Sequence, residues 1–175
     1  MSEHHPRVMP VIGWREWVAL PELGIPAIKA KIDTGARTSA LHAVDLERFT
    51  RRGVDWVRFC VHPHQRDIES SVIAEAEVID ERIIRNSGGH SESRPVIAAV
   101  ALLGAESLEI ELTLTNRALM GFRMLLGREA VRHRFLVDPG ASYFHREGPG
   151  AGKRGAKKRK KRRAPPRPRV EEEEE

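Results

Sequence analysis

Asp33 stands inside KAKIDTGARTSALHA, residues 29–43, where an apolar run gives way to Thr34, Gly35 and Arg37. A carboxylate can take up a proton, donate one or hold a cation, and it does such work only when something rigid aims it. Ile28, Ala30 and Ile32 alternate with Lys29 and Lys31, which predicts a strand whose phase puts Asp33 on the lysine side. Gly35 then permits a sharp turn, because glycine tolerates positive φ. An acid at a strand end on a tight loop is firmly placed and within reach of a substrate. The competing reading is that Asp33 only caps its own turn, as Asx residues do.

The elements that must position Asp33 are short β-runs. SLEIELTLT, residues 107–115, alternates strictly, with Leu108, Ile110, Leu112 and Leu114 on one face and Glu109, Glu111 and Thr113 on the other. Further strands are expected over 11–20, 28–33, 54–61, 72–85 and 95–103, with turns at Asn86-Ser87-Gly88-Gly89 and Leu103-Gly104. Residues 128–133, after Gly127, read as a short helix, and 40–49 as a second helical candidate. Six or more strands with so little helix argue for an all-β, closed barrel.

Bulk properties narrow the class. The 175 residues suffice for one domain with a real core. No apolar run is long enough to cross a bilayer and no secretory signal is visible at the N-terminus, so a cytoplasmic location without membrane contact is expected. A lone cysteine, Cys60, excludes an internal disulfide and reads as a small buried hydrophobe. The net charge of +5 misleads as an average, because residues 153–169 carry eleven Lys and Arg and no acid. Removing those and the five final glutamates leaves 19 basic against 20 acidic residues in 1–152. Attraction for a polyanion therefore lies in the tail. Composition divides the chain into a flexible N-terminus at 1–9, a folded domain at 10–147, and a disordered basic tail at 148–175 that ends in polyglutamate.

MLLGREAV, residues 124–131, is an apolar run entering Gly127 and Arg128, and IIRNSGGHSESRPVI, residues 83–97, is a polar, glycine-bearing tip between β-runs. In that order, with Asp-Thr-Gly-Ala first, they resemble the retropepsin-like aspartic proteases. KAKIDTGARTSALHA, RNSGGHSESRPVI, FRMLLGREAV and FLVDPGASYF are similar to the bacterial RimK-associated branch, often labelled ATP-dependent zinc protease, over about residues 10–145.

That resemblance implies a retropepsin-like barrel with one domain per subunit, and removal of glutamates added by the ligase RimK to the C-terminus of a small-subunit ribosomal protein. It implies Asp33, Thr34 and Gly35 as the catalytic loop, with Thr34 bonded across a dimer. One such loop is half a site, so the mechanism demands a homodimer in which two Asp33 carboxylates share a proton, one acting as acid and one as base. Acidic substrates call for arginine. Arg37 replaces an acid that viral retropepsins pair with the Gly-Arg arginine, which leaves Arg37 for substrate or a surface ion pair, and Arg128 for substrate or structure. Arg85, Arg94, Ser87 and His90 on the hairpin tip are further substrate-binding candidates, and Lys29 and Lys31 share the face of Asp33.

Two rival readings follow from other residues. The zinc label finds only His4-His5 and His62-Pro63-His64, with no H-E-x-x-H. No G-x-x-x-x-G-K-[ST] supports nucleotide binding either, so no metal and no cofactor are expected. The basic tail would also suit an rRNA or ribosome contact, either by a non-catalytic adaptor or by a protease carried to its substrate.

Overall fold

The computed structural model describes residues 8–64, 69–85 and 88–145. The expectations for the N-terminal histidines, for Asn86 and Ser87, and for the basic and polyglutamate tail lie outside the described residues.

Among the described residues twelve strands are present: β1 (Val11–Gly13), β2 (Arg15–Leu20), β3 (Ile25–Asp33), β4 (Ser39–His42), β5 (Val44–Arg51), β6 (Val54–Val61), β7 (Val72–Glu77), β8 (Asp80–Arg85), β9 (Ser91–Leu103), β10 (Glu106–Thr115), β11 (Met124–Gly127) and β12 (Leu136–Asp138). One short helix, α1 (Arg128–Val131), follows β11. Strands β10, β4, β11, β3, β2 and β9 are hydrogen-bonded in that order, and β9 returns to β10, which closes a six-stranded barrel. Closure removes the open edges that a flat sheet would expose. β8 lies outside the ring as the second arm of a hairpin with β9, β5-β6-β7 form a separate sheet, and β1 pairs with β12 in parallel.

The alternation seen in the sequence selects the barrel interior. Ile28, Ala30 and Ile32 of β3 are buried beside Leu41, Leu112, Met124 and Leu126, while Lys29 and Lys31 point outward. Glu16 is fully buried among them, and its carboxyl group accepts N–H bonds from Gly13, Phe144 and His145. That contact ties the chain after β12 to the start of β2.

Several expectations are corrected. Residues 40–49 are not helical, because β4 pairs with Leu112 to Thr115 of β10 on one side and with Met124 and Leu125 of β11 on the other, and β5 then leaves for the second sheet. The run 72–85 is two strands: Val78 donates to Asp55 and Ile79 to Val96, so the chain changes sheets there. The run 11–20 is interrupted at Trp14, which donates to Ala141 and accepts from Ile32. Thr113 does not face solvent; it is 1% exposed and its hydroxyl donates to the Ser39 carbonyl at 3.2 Å. Cys60 is only half-buried.

Candidate active site

β3 delivers Asp33 to the barrel rim beside β11, in register with Gly127. Its two oxygens have different tasks. Oδ1 accepts from the Gly35 and Ala36 backbone N–H groups, each at 3.1 Å, and Oδ2 lies 3.3 Å from the Lys31 ammonium. Turn capping is therefore real, and it occupies one oxygen of a side chain that stays 27% exposed. Partial burial pushes the Asp33 pKa up, yet the Ala36 N–H, the Lys31 ammonium and the Gly35 N–H together outweigh it and hold the carboxyl below its ordinary value.

The loop is braced from β11 and α1. Arg128 N–H donates to the Ala36 carbonyl at 2.8 Å, Glu129 N–H to the Arg37 carbonyl at 3.1 Å, and the Arg128 guanidinium to the Thr34 carbonyl at 3.1 Å. Gly127 N–H donates to the Ser39 hydroxyl at 3.0 Å. A Cβ at Gly127 would stand 2.5 Å from the Thr38 carbonyl, so only glycine lets the two segments approach this closely. Arg128 thus serves the loop's structure through the Thr34 backbone, while the Thr34 and Gly35 residues themselves remain exposed.

Arg37 is 78% exposed, with Nε 3.8 Å from Glu129, a surface pairing of small energetic weight. It lines a cavity of about 810 Å³ with Glu81, Arg82, Glu109, Glu111 and Glu129. Asp33 is not in that wall, and four acids against two arginines give a charge balance unsuited to a carboxylate-rich ligand. On the hairpin, Arg85 pairs with Ser91 in register, and Arg85, Gly88, Gly89 and His90 are all exposed at its free end. Arg94 is more enclosed, 17% exposed, and its Nε donates to Glu92 at 2.7 Å.

Sequence reasoning passed over Arg117, Arg123 and His42. β11 pairs Leu125 with Lys31 and Gly127 with Asp33, so strand phase puts Arg123 on the Asp33 face of the sheet. The same alternation was readable in FRMLLG. Arg117 follows β10, donates from its backbone to His42 Nδ1 at 2.9 Å and from its guanidinium to the Phe122 carbonyl at 3.3 Å. Burial holds the Arg117 pKa below its ordinary value, the Arg94 guanidinium adds to this, and Asp33 opposes it. Arg117 thus feels the charges of both Arg94 and Asp33. His42 is 1% exposed, and burial, followed by Arg123, His62 and Arg117, lowers its pKa to about 4. The bond from Arg117 to Nδ1 leaves the neutral ring's proton on Nε2.

The His62 ring, 6.2 Å from that of His42, has its Nδ1 2.7 Å from the Ser71 hydroxyl. Among the described residues no three His, Cys, Asp or Glu side chains gather as a metal-ligand set, and no helix is long and apolar enough to cross a membrane.

A partly exposed aspartate with one oxygen locked by backbone N–H groups can polarise water, and a second acid beside it would complete general acid–base hydrolysis. A probable alpha-L-glutamate ligase of Shewanella pealeana is 53% identical over 133 residues, which cover 76% of this chain and 29% of that protein. One of Desulfotalea psychrophila is 54% identical over 129 residues, 74% of this chain and 28% of that protein. The chain therefore spans under a third of these relatives. A Legionella pneumophila crystal structure of unknown function is 27% identical, superposes with a TM-score of 0.65, and is matched over 78% of this chain and 98% of that one. Residues 11–147 match the RimB-like family, described as retropepsin-like aspartic endopeptidase RimB, and the chain belongs to that family.

Proposed function

We propose that the chain is one half of a homodimeric aspartic peptidase that hydrolyses peptide bonds in glutamate-rich C-terminal tails, such as a ribosomal protein extended by a ligase. The observation that carries this reading is the Asp33 carboxylate itself, pinned through Oδ1, paired through Oδ2 with Lys31 on the same sheet face, and 27% exposed as a side chain. Two Asp33 groups brought together by a two-fold axis cannot both ionise comfortably, so they share a proton. The ionised one takes a proton from the attacking water, and the protonated one donates to the scissile carbonyl.

Glutamate is favoured as substrate for two reasons. Lys31 pairs with Asp33 and Arg117 feels its charge, and the long relatives that contain this segment carry a glutamate-ligase name. Those relatives exceed the shared segment more than threefold in length, so we assign glutamate removal to the shared part and no ligase step. Cytoplasmic location goes with this substrate.

The test incubates purified protein with a glutamate-tailed peptide, with and without EDTA, beside Asp33→Asn. Cleavage that survives chelator and disappears in Asp33→Asn supports the reading. Cleavage lost with chelator points to a metal enzyme, and no cleavage by any form removes the peptidase assignment.

A further inference from the structure

Arg123 carries an unpaid debt of hydrogen bonds: its Nε and Nη1 are both buried and neither has a partner. Two charged donors withdrawn from water without an acceptor are costly, and native proteins seldom tolerate this unless something else supplies the acceptor. Among the described residues, neither Arg123 nor Arg117 makes an ion pair with a carboxylate. Among the described residues Asp33 is the acid whose charge acts on Arg117, and the Arg94 guanidinium acts on it in the opposite sense. Arg94 is already held by Glu92, which also accepts from the Thr115 hydroxyl. The local excess is therefore positive, enclosed, and centred on Arg117 and Arg123.

Both residues bracket one loop. Arg117 Nε donates to the Phe122 carbonyl, and the Arg123 carbonyl accepts from His42 N–H at 2.7 Å, so backbone contacts fix where each arginine leaves the chain. Arg123 immediately precedes β11, four residues before Gly127, and so lies about 13 Å along the chain direction from the level of Asp33. An extended substrate covers that distance in about four residues.

We propose that Arg117 and Arg123 form a carboxylate-binding subsite that receives an acidic side chain of the substrate within about four positions of the bond cut. The proposal rests on Asp33 being the hydrolytic centre, and it concerns which residues select the substrate. Arg117 and Arg123 both act on the His42 ring, and a planar guanidinium with two unpartnered donors suits a carboxylate, which accepts bidentate bonds, and offers nothing comparable to an amide.

Binding separates this from hydrolysis. Full-length Asp33→Asn protein is titrated calorimetrically with pentaglutamate and pentaglutamine peptides, alone and with Arg117→Gln or Arg123→Gln added. Each arginine change is expected to weaken pentaglutamate binding roughly 10- to 100-fold and leave pentaglutamine unchanged. Arg123→Lys, which keeps the charge and loses the fork, falls between. Unchanged pentaglutamate affinity in both glutamine variants overturns the proposal. So does dissociation of the dimer in sedimentation, since the arginines would then serve a subunit contact.

Should the variants not fold, NMR titration of His42 in otherwise unaltered Asp33→Asn protein decides. A carboxylate seated on Arg123 and Arg117 raises the His42 pKa from about 4, and an unmoved value overturns the subsite. Binding that depends on the arginines in a protein that cleaves nothing keeps the subsite and removes the hydrolytic reading; cleavage with arginine-independent binding does the reverse.

Discussion

Lys31 is the residue that sets Asp33 apart from an isolated carboxylate. Its ammonium lies 3.3 Å from Oδ2 and favours the ionised form, as do the Ala36 and Gly35 N–H groups, against a desolvation that favours the neutral one. Removing the ammonium takes away a lowering influence, so Lys31→Met raises the Asp33 pKa. The pH–rate profile of a proton-sharing pair then moves to higher pH, which a kcat/KM profile of the variant against wild type would show; an unmoved profile contradicts the contact. His42 gives a second, independent pH dependence. Its folded pKa of about 4 lies below the unfolded value of 6.5, so the unfolded chain binds the extra proton between them. Stability is full above pH 6.5, falls as pH drops toward 4, and changes no further below it. The loss attributable to this group is up to about 3 kcal/mol, and it vanishes in His42→Asn, measured by chemical denaturation across that pH window.

At the scale of elements, the site depends on how closely β11 and the Asp33 loop approach. Gly127→Ala forces a Cβ to 2.5 Å from the Thr38 carbonyl, in backbone that has no side-chain freedom to yield. A destabilisation of about 3 kcal/mol or more is expected, read from the denaturation midpoint, with a wild-type midpoint contradicting the packing account. The strand carrying Asp33 and its lysine face were legible in the sequence because period-two alternation is a local property. The apolar run into Gly127 was legible for the same reason. Residues 40–49 were misread because β4 is fully buried, showing SALH with no polar face to reveal its period, and its identity comes from being inserted between β10 and β11. The break at Val78-Ile79 was equally hidden, since a strand that changes partners keeps its composition. The phase of Arg123 was readable in FRMLLG, but Arg117 was missed because nothing in a sequence says that an arginine after a strand will bond a buried histidine.

For the whole molecule, the barrel explains how one chain presents a single aspartate rigidly, and under the proposed mechanism that aspartate is half a site. The six-stranded ring holds β3 and β11 side by side, and the buried Glu16 fastens the segment after β12 onto the same framework. Neither element supplies a second acid within bonding distance of Asp33. The catalytic account therefore stands or falls on two chains acting together, and subunit mixing addresses it most directly. Wild-type and Asp33→Asn chains are unfolded together, refolded at varied ratios and constant total concentration, and assayed on a glutamate-tailed peptide. A shared site predicts activity proportional to the square of the wild-type fraction, about one quarter at an equal mixture. Activity that falls in direct proportion, to about one half, would show that each chain works alone and would contradict the account.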